Sequence, residues 1–597
     1  MVMNNKLLFL KGKLVKSKYL ILALLFSFFP KLVLASRAIP MYAPSDESWM
    51  LGLNAKFLGY NWSQVMENSS YYGVGFSFIF IPLMKLIKDS FLLYHIMLVS
   101  YILVNCGIVL CVYSILNKFI NQDDGILNSI LALAASYSVS LPIVYIYNEH
   151  ILALLVYILI FILLKLYYFP RRRIFWTIWL VLILGYSLTI HTRAIIFWIA
   201  VILTVCVYFF FSKHWLVNMP VFCGIGLVSW IIGRRVVNWS LDYAWMVENG
   251  QQVHNSTVSF SGFELLFNLD AWKYFIDIIL GQINAGIIFS GSFLVIAVIF
   301  TVIIIKKYIK YGSEEIYFLL AFFLGIQIIA AIGMQAVMWL KNVMIAVQGG
   351  EWWSSHLRAF SYIRYYWLYA APLIIISIAY LFRTKRFMFQ ISYIYLFLTI
   401  FLQELWIKII VPYIEKNVMV LRGNSANVML AYSLKKLPSD SADYTYFIPA
   451  FLAILCIAII VYWSLRKEKR ILICVIFMLT SIYQYFYRGS VSIDVEKNWY
   501  LSVDKEYDAV NEIINLMADI PNIYMKNVDI YSYYEACFLL RENTIILLEN
   551  MPEEDEYVVF SHERDIELAR KSREFKLDNN EFMYIKGYEE LSEKFGD

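Results

Sequence analysis

Charged side chains are scarce in this sequence: only 16% of its 597 residues are Asp, Glu, Lys or Arg, whereas a soluble domain carries about 25%. The seven cysteines form no CxxC motif and no His/Cys cluster with metal-ligand spacing. No Gly-rich phosphate loop occurs, so no nucleotide site is expected. Hydrophobic residues make up 61% of the chain and fall in long runs. These features exclude a secreted globule, a nucleic-acid-binding module and a fibrous protein, and they predict a polytopic α-helical membrane protein.

Thirteen apolar runs predict an all-α membrane bundle of about 13 transmembrane helices. The first run, 19–35, follows a basic stretch that begins at Lys6. This start also resembles a signal peptide, but its length and the many spans behind it favour an uncleaved first helix. The other runs lie near 91–116, 125–145, 150–169, 174–190, 194–212, 217–233, 283–305, 315–339, 362–382, 387–411, 446–465 and 470–487.

The orientation follows from one ambiguous stretch, 71–86. Its helical part would cover only about 20 Å, less than the bilayer core of about 30 Å. If it does not span, the basic turns at 171–173, 306–310, 383–386 and 466–470 all face the cytoplasm, as the positive-inside rule requires. We therefore predict that this stretch lies along the outer surface and that the N-terminus is cytoplasmic.

This topology divides the chain into a membrane module, 1–487, and an outer tail, 488–597. The first outer loop is 37–90. The tail carries 12 basic and 25 acidic residues, a net charge of −13. Because the whole chain has a net charge of +5, the membrane module carries +18. Strand-like runs such as 544–548 alternate in the tail with helical patterns such as 506–517, which suggests a small extracytoplasmic α/β domain.

The first outer loop contains two adjacent acids, Asp46 and Glu47, at the start of a predicted helix. Trp49, Leu53 and Phe57 recur at helical spacing, so we expect this helix to lie in the membrane interface with its apolar face in lipid. The two carboxylates would then occupy the positive end of the helix dipole. Ordinary helix capping is the competing interpretation.

Further charges lie where spans meet the outer surface. Glu149 begins the fourth span, where a carboxylate is costly unless it is paired or functional; the alternative is a turn residue facing water. Arg193, close to His191, lies in the turn between the fifth and sixth spans and could instead snorkel to headgroups. Arg364 and Tyr365 open the tenth span.

Three more arginines, Arg234, Arg235 and Arg358, lie at predicted outer positions, against the positive-inside trend. An anionic lipid phosphate would explain outward arginines, because a guanidinium binds phosphate through two parallel hydrogen bonds. Structural pairing with Asp46, Glu47 or Glu149 explains them nearly as well.

The order of a first span, an acidic outer loop, surface helices, many spans and an outer tail resembles the GT-C glycosyltransferases. The closer likeness is to the bacterial branch related to protein O-mannosyltransferases and lipid A aminoarabinose transferases. The resemblance extends along the chain in architecture but is motif-specific at only a few stretches. It implies that Asp46 and Glu47 carry the catalytic acid and that Glu149 matches a second acid. It also implies a cation at Arg193, where the family often has Thr-Lys, and an Arg-Tyr motif at Arg364.

The resemblance implies a polyprenyl-phosphate-sugar donor and transfer with inversion to an acceptor hydroxyl. Such a reaction needs a base for the acceptor and cations for the leaving phosphate. We expect Asp46 to be the base, Glu47 to support it, and Glu149 to orient the acceptor or support the base. Phosphate binding is assigned to Arg193, Arg364, Arg234 and Arg235, and substrate contacts to His191, Tyr72, Tyr365 and Arg358.

Several alternatives remain open at this stage. The family is divided over metals, and Asp46, Glu47 and Glu149 could share a divalent cation, although the lack of a dense Asp/Asn cluster favours none. The acceptor could be a glycan, a lipid or a protein, and the sugar is unspecified. The membrane lipids are expected partners, nucleic acid is not, and the richness in Lys, Ile, Asn and Tyr suggests a bacterial cell membrane. A lipid-linked oligosaccharide flippase or transporter, a polysaccharide polymerase and a non-catalytic lipid-binding protein are the rival functions.

Overall fold

The fold consists of a helical membrane module and a small sheet domain. The computed structural model describes residues 2–594 apart from 42–43, 68, 72, 122–123, 246–261, 349–357, 382–387, 416–446, 500–516, 518–519, 529, 549, 553 and 578–581. The helices of the membrane module are α1 (Val2–Ala35), α2 (Pro44–Leu58), α3 (Ser63–Glu67), α4 (Ile81–Leu86), α5 (Ser90–Ile115), α6 (Gly125–Tyr137), α7 (Glu149–Tyr168), α8 (Arg173–Ile190), α9 (Ile195–Ser212), α10 (Met219–Ser240), α11 (Leu269–Phe289), α12 (Phe293–Tyr311), α13 (Glu315–Val347), α14 (Arg358–Ser361), α15 (Trp367–Leu381), α16 (Met388–Glu415), α17 (Phe447–Arg466) and α18 (Arg470–Trp499).

Within the described ranges, nine helices are long and apolar enough to cross a membrane. The bent pair α11–α12 brings this number to ten, and α6, α15 and residues 451–466 of α17 are shorter apolar helices at predicted positions. The all-α membrane bundle is therefore confirmed, whereas the number of 13 spans stays a prediction. Apolar side chains such as Phe26, Phe29 and Val33 are exposed on α1, as expected of a helix whose outer face contacts lipid.

Two predicted runs are broken in the structure. The run 283–305 crosses a bend of 114° between α11 and α12, where Gly291 and Ser292 both have positive φ and so end the helix. The run 125–145 is helical only to Tyr137, and the following non-helical chain is almost wholly buried in protein. Non-helical backbone is tolerated at membrane depth when protein surrounds it.

The first outer loop folds over the ends of the spans. The stretch 71–86 forms a 3₁₀ turn (Ser77–Phe80) and α4, too short to cross a bilayer. The predicted lipid-facing stripe on α2 is wrong: Leu53 is fully buried, and only Phe57 is exposed. Trp49 packs edge-on against Tyr534, with ring centroids 6.3 Å apart, so the soluble tail covers this face instead of lipid.

The tail contains a five-stranded sheet with the order β2-β1-β3-β5-β4. Strand β1 is parallel to β2 and β3, whereas β5 is antiparallel to β3 and β4. This confirms the small α/β domain; most of the predicted helix at 506–517 lies outside the described residues. The strands are β1 (Asn522–Lys526), β2 (Thr544–Leu548), β3 (Tyr557–Ser561), β4 (Arg573–Lys576) and β5 (Phe582–Lys586), and the helices are α19 (Ile530–Leu539), α20 (Ile566–Lys571) and α21 (Glu589–Lys594).

The tail and the first outer loop touch. The Arg541 guanidinium, just after α19, donates hydrogen bonds to the Ile87 and Lys88 carbonyls and to the Ser90 hydroxyl. Gln64 Oε1 accepts a hydrogen bond of 3.1 Å from the backbone N–H of Leu547 in β2. The two parts therefore lie on the same face of the membrane module.

Candidate functional site

Four chain segments come together in the membrane module, and each supplies a charged side chain. They are the first turn of α2, the first residue of α7, the 3₁₀ turn Thr192–Ala194 between α8 and α9, and the 3₁₀ turn Ile363–Tyr365 before α15. Because they are far apart in sequence, only the fold brings their side chains together.

Glu149 is the centre of the cluster. It is 3% exposed, and its Oε1 accepts hydrogen bonds from Arg364 Nε at 2.6 Å and from Arg193 Nη2 at 3.0 Å. A carboxylate this deeply buried is tolerated only when it is paired and hydrogen-bonded. The predicted convergence of Glu149, Arg193 and Arg364 is therefore present, with Glu149 holding both guanidinium groups.

Asp46 lies on the accessible side of the same cluster. Its Oδ2 accepts a hydrogen bond of 2.8 Å from the Tyr147 hydroxyl and forms an ion pair of 3.5 Å with Arg364 Nη1. The side chain is 21% exposed, against 3% for that of Glu149. Of these two acids, Asp46 is therefore the one that a substrate could approach.

Glu47, next to Asp46, is bound by groups other than Arg193 and Arg364 in the described part of the chain. It is fully buried, and its Oε1 accepts hydrogen bonds from the Tyr94 hydroxyl at 2.7 Å and from the backbone N–H of Ile146 at 2.8 Å. These bonds tie α2 to α5 and to the non-helical segment before α7. Glu47 thus supports the acid next to it by fixing the position of its helix.

Arg193 combines several contacts in one planar group. Its guanidinium carbon lies 4.0 Å from the centre of the Tyr365 ring, and Nη2 lies 2.9 Å from His191 Nε2. Burial and the Arg193 charge hold the pKa of His191 well below its usual value, so the imidazole is neutral. Arg193 Nη1 is buried and has no hydrogen-bond partner among the described residues. A buried donor of this kind is costly unless a ligand supplies an acceptor.

Backbone contacts hold these turns in register. The N–H groups of Val74 and Gly75 both donate to the Thr189 carbonyl, at 2.8 and 2.9 Å. The Asn148 amide donates to the Ile190 carbonyl at 3.0 Å. The residues on either side of His191 and Glu149 are therefore fixed to the first outer loop.

Of the four remaining predicted site residues, only Arg234 and Arg235 have side chains in the described part of the chain. Arg234 and Arg235 lie on α10, and within the described part of the chain neither forms an ion pair with Asp46, Glu47 or Glu149. Arg358 begins α14, but its side chain lies outside the described residues, as does the whole of Tyr72.

The sequence did not predict two tyrosines that contact Arg364, Tyr147 and Tyr362. The Tyr147 ring lies under Arg364, 4.3 Å from the guanidinium carbon, and the Tyr362 hydroxyl accepts a hydrogen bond of 3.1 Å from Arg364 Nη1. A signal was present: Tyr145 and Tyr147 alternate after Pro142, where a transmembrane helix is hard to continue.

The proposed shared cation does not match this arrangement. In the described part of the chain, no three His, Cys, Asp or Glu side chains gather as a metal-ion site would require. Glu149 is oriented towards two guanidinium groups, and Glu47 towards Tyr94 and a backbone N–H. The three acids therefore do not converge on one point.

Comparisons with known proteins identify a similar fold. No protein-family model matches the chain, and no curated protein sequence matches it. ArnT from Cupriavidus metallidurans bound to undecaprenyl phosphate superimposes with a TM-score of 0.51 at 11% identity, covering 95% of this chain and 97% of ArnT. The apo state of the same protein gives 0.50 at 12% identity, covering 96% and 98%. The GT-C resemblance is thus confirmed at the level of the fold.

Proposed function

We propose that this protein is a membrane glycosyltransferase that moves a sugar from a polyprenyl-phosphate donor to an acceptor hydroxyl on the outer side of a bacterial cell membrane. The observation that carries the proposal is the pair Arg193 and Arg364 held by buried Glu149, with the more exposed Asp46 beside Arg364. Guanidinium groups recognise phosphate, and a neighbouring carboxylate can accept a proton. The ArnT-like fold supports the same function.

In the proposed reaction, each of these groups acts on one part of the bond exchange. The acceptor oxygen forms a bond to the anomeric carbon while its proton passes to Asp46. The bond between that carbon and the phosphate oxygen breaks, and the phosphate leaves with the electron pair. Arg193 and Arg364 stabilise the negative charge that develops on it. Attack from the side opposite the phosphate inverts the configuration of the sugar.

The other residues position this machinery. Glu149 fixes both guanidinium groups, and Glu47 fixes the helix that carries Asp46. Tyr365 stacks under Arg193, and neutral His191 lies beside the same guanidinium. Modification of an envelope glycan is the role that fits a donor and an acceptor which meet at the membrane surface.

The test is a comparison of envelope glycans by mass spectrometry in cells that carry wild-type protein, no protein, or Asp46→Asn at matched expression. Loss of one glycan modification in both the second and the third strain supports the transferase. An unchanged glycan with an altered distribution of the lipid carrier would indicate a flippase or transporter instead.

A reconstituted assay separates the roles of the residues. Asp46→Asn should lower turnover by roughly 100-fold or more, as for loss of a general base, with donor binding largely kept. Arg193→Ala and Arg364→Ala should weaken donor binding by roughly 10-fold or more, since each removes a hydrogen bond to a charged group. Equal loss of donor binding in all three variants would mean that the roles are misassigned.

A further inference from the structure

A third arginine, Arg488, is buried within the last membrane helix, α18. It is only 5% exposed, and its guanidinium makes no hydrogen bond or ion pair with any residue that the structure describes. Its Nε is sealed from solvent without an acceptor. Neither sequence motifs nor the arrangement around Glu149 assigns it a role.

Arg488 lies near Arg364. The hydroxyls of Tyr145, Tyr362 and Tyr485 and the guanidinium of Arg364 are among the titratable and charged groups that lie near its charge. Tyr362 already accepts a hydrogen bond from Arg364 Nη1, and Tyr485 accepts one from the Ile143 N–H. On another side, the Phe289 ring lies 5.1 Å from its guanidinium carbon. No carboxylate of the described residues forms an ion pair with it.

Arg488 therefore differs from the other two arginines. Arg193 and Arg364 are paired with Glu149 and Asp46, whereas Arg488 has no ion-pair partner among the described residues. An uncompensated buried guanidinium is expensive in a membrane protein, and intramembrane charges of this kind mark binding sites by default. An anion bound between Arg364 and Arg488 would supply the missing partner of Arg488.

We infer that Arg488 is a third binding residue for the polyprenyl phosphate and that it favours the leaving phosphate over the intact donor. This inference rests on the proposed function. The donor phosphodiester carries one negative charge. When the bond from the phosphate oxygen to the sugar breaks, the released monoester gains a second charge, while Asp46 loses its own charge by taking the acceptor proton. The net charge of the protein groups around the phosphate thus rises by one as the phosphate gains its second negative charge.

The test measures binding of undecaprenyl phosphate to the full chain in nanodiscs of zwitterionic lipid. Arg488→Gln should weaken binding at least 10-fold at pH 8, where the monoester is a dianion. The weakening should be about threefold or less at pH 5.5, because the second pKa of a phosphate monoester is about 6. Arg488→Lys should restore part of the affinity, since it keeps the charge but not the planar fork. In transfer assays kcat should fall more than the donor KM rises.

The matched control is Arg466→Gln, an exposed arginine at the end of α17. It precedes the start of α18, and Arg488 lies about 27 Å further along that helix at 1.5 Å per residue. This control should bind undecaprenyl phosphate as wild type does at both pH values.

Three outcomes overturn the inference. Wild-type binding by Arg488→Gln, with transfer still abolished by Asp46→Asn, removes Arg488 from the site and leaves the proposed function intact. A loss that is equal at both pH values, is not rescued by Lys and accompanies a lower Tm makes Arg488 structural. An equal loss of binding to phosphatidylglycerol in the same nanodiscs assigns it to bulk anionic lipid. Failure of the wild type itself to bind undecaprenyl phosphate or to transfer sugar would instead refute the proposed function.

Discussion

At the scale of single residues, the site depends on one acid, Glu149, which pairs with two arginines. One oxygen of Glu149 accepts hydrogen bonds from two guanidinium groups. The Tyr147 ring stacks against that of Arg364, and the Tyr365 ring stacks against that of Arg193. Planar stacking and bidentate geometry are properties of arginine that lysine lacks. Arg193 stacks on Tyr365 and hydrogen-bonds Glu149 through the same planar group.

Glu149→Gln should destabilise the protein by about 3 kcal/mol, because breaking a buried ion pair leaves uncompensated charge behind. The measurement is the free energy of unfolding in detergent. Glu404→Gln is the matched control: Glu404 pairs with Lys408 at 2.9 Å on the exposed side of α16, so its loss should cost less than about 1 kcal/mol. Equal effects of the two substitutions would contradict the central role of Glu149.

His191 predicts how stability depends on pH. Its pKa is lowered in the folded state by burial and by Arg193, so the unfolded chain takes up a proton first as the pH falls below the ordinary value of 6.5. Stability from this residue is therefore present above pH 6.5 and is lost towards acid, by up to about 1.4 kcal/mol per pH unit. Unfolding measured from pH 8 to pH 5 should show this slope, and His191→Gln should flatten it.

The control for this prediction is His214→Gln, which replaces an exposed histidine after α9. That variant should keep the acid-side slope of the wild type. A slope that survives in His191→Gln would assign the pH dependence to other groups.

At the scale of elements, the sequence predicts the positions of helices better than the residues at which they end. Apolar composition located α5, α7, α8 and α9 because a span must be continuously apolar. It missed the end of α6 at Tyr137, since the buried chain after it is also apolar and its backbone polar groups are satisfied by protein. Asp46 and Glu149 were predicted as site acids through the GT-C resemblance, which implies one acid in the first outer loop and a second at the start of the fourth span. Tyr147 was missed because it lies in that non-helical segment.

Gly73 is the element-scale feature that is easiest to test. Its φ is +73°, and a Cβ there would lie 2.0 Å from the Ile190 carbonyl oxygen. Gly73→Ala should therefore push the first outer loop off the turn that carries His191 and Arg193, with a stability loss above the roughly 1 kcal/mol of positive-φ strain alone. Donor binding should weaken as well. The measurements are unfolding and donor affinity in the same preparation.

Gly59→Ala separates strain from collision. Gly59 also has a positive φ, +84°, but a Cβ there meets nothing within 4 Å. It should show only the strain cost and normal donor affinity. If Gly73→Ala behaves like Gly59→Ala, the close approach to Ile190 does not position the site.

At the scale of the whole molecule, contact between the tail and the first outer loop constrains the topology. Two segments that touch lie on one side of the membrane, so an even number of crossings separates them. The twelve spans predicted after α1 fit this condition, although in the described residues only eight helices after α1, or nine with the bent pair α11–α12, are long and apolar enough to cross. Sequence could propose the common side from the distribution of Lys and Arg, but it could not predict the contact. Arg541, Ser90 and Gln64 form it, and no local pattern relates them.

Arg541→Ala should loosen the tail from the membrane module. The substitution removes the hydrogen bonds to the Ile87 and Lys88 carbonyls and to Ser90, and hydrogen bonds from a charged donor are each worth about 1.5–3 kcal/mol. Amide hydrogen exchange in α4 and α19 should accelerate by roughly 10-fold or more, while exchange in α7 stays unchanged. Arg570→Ala, at an exposed position of α20, is the matched control and should leave all three helices protected.

If the tail also holds α2 in place, Arg541→Ala will lower transfer as well, because Trp49 packs on Tyr534 only three residues from Asp46. Unchanged exchange in α4 would mean that other contacts suffice to hold the tail, and unchanged transfer with faster exchange would make the tail a cover with no influence on the acid.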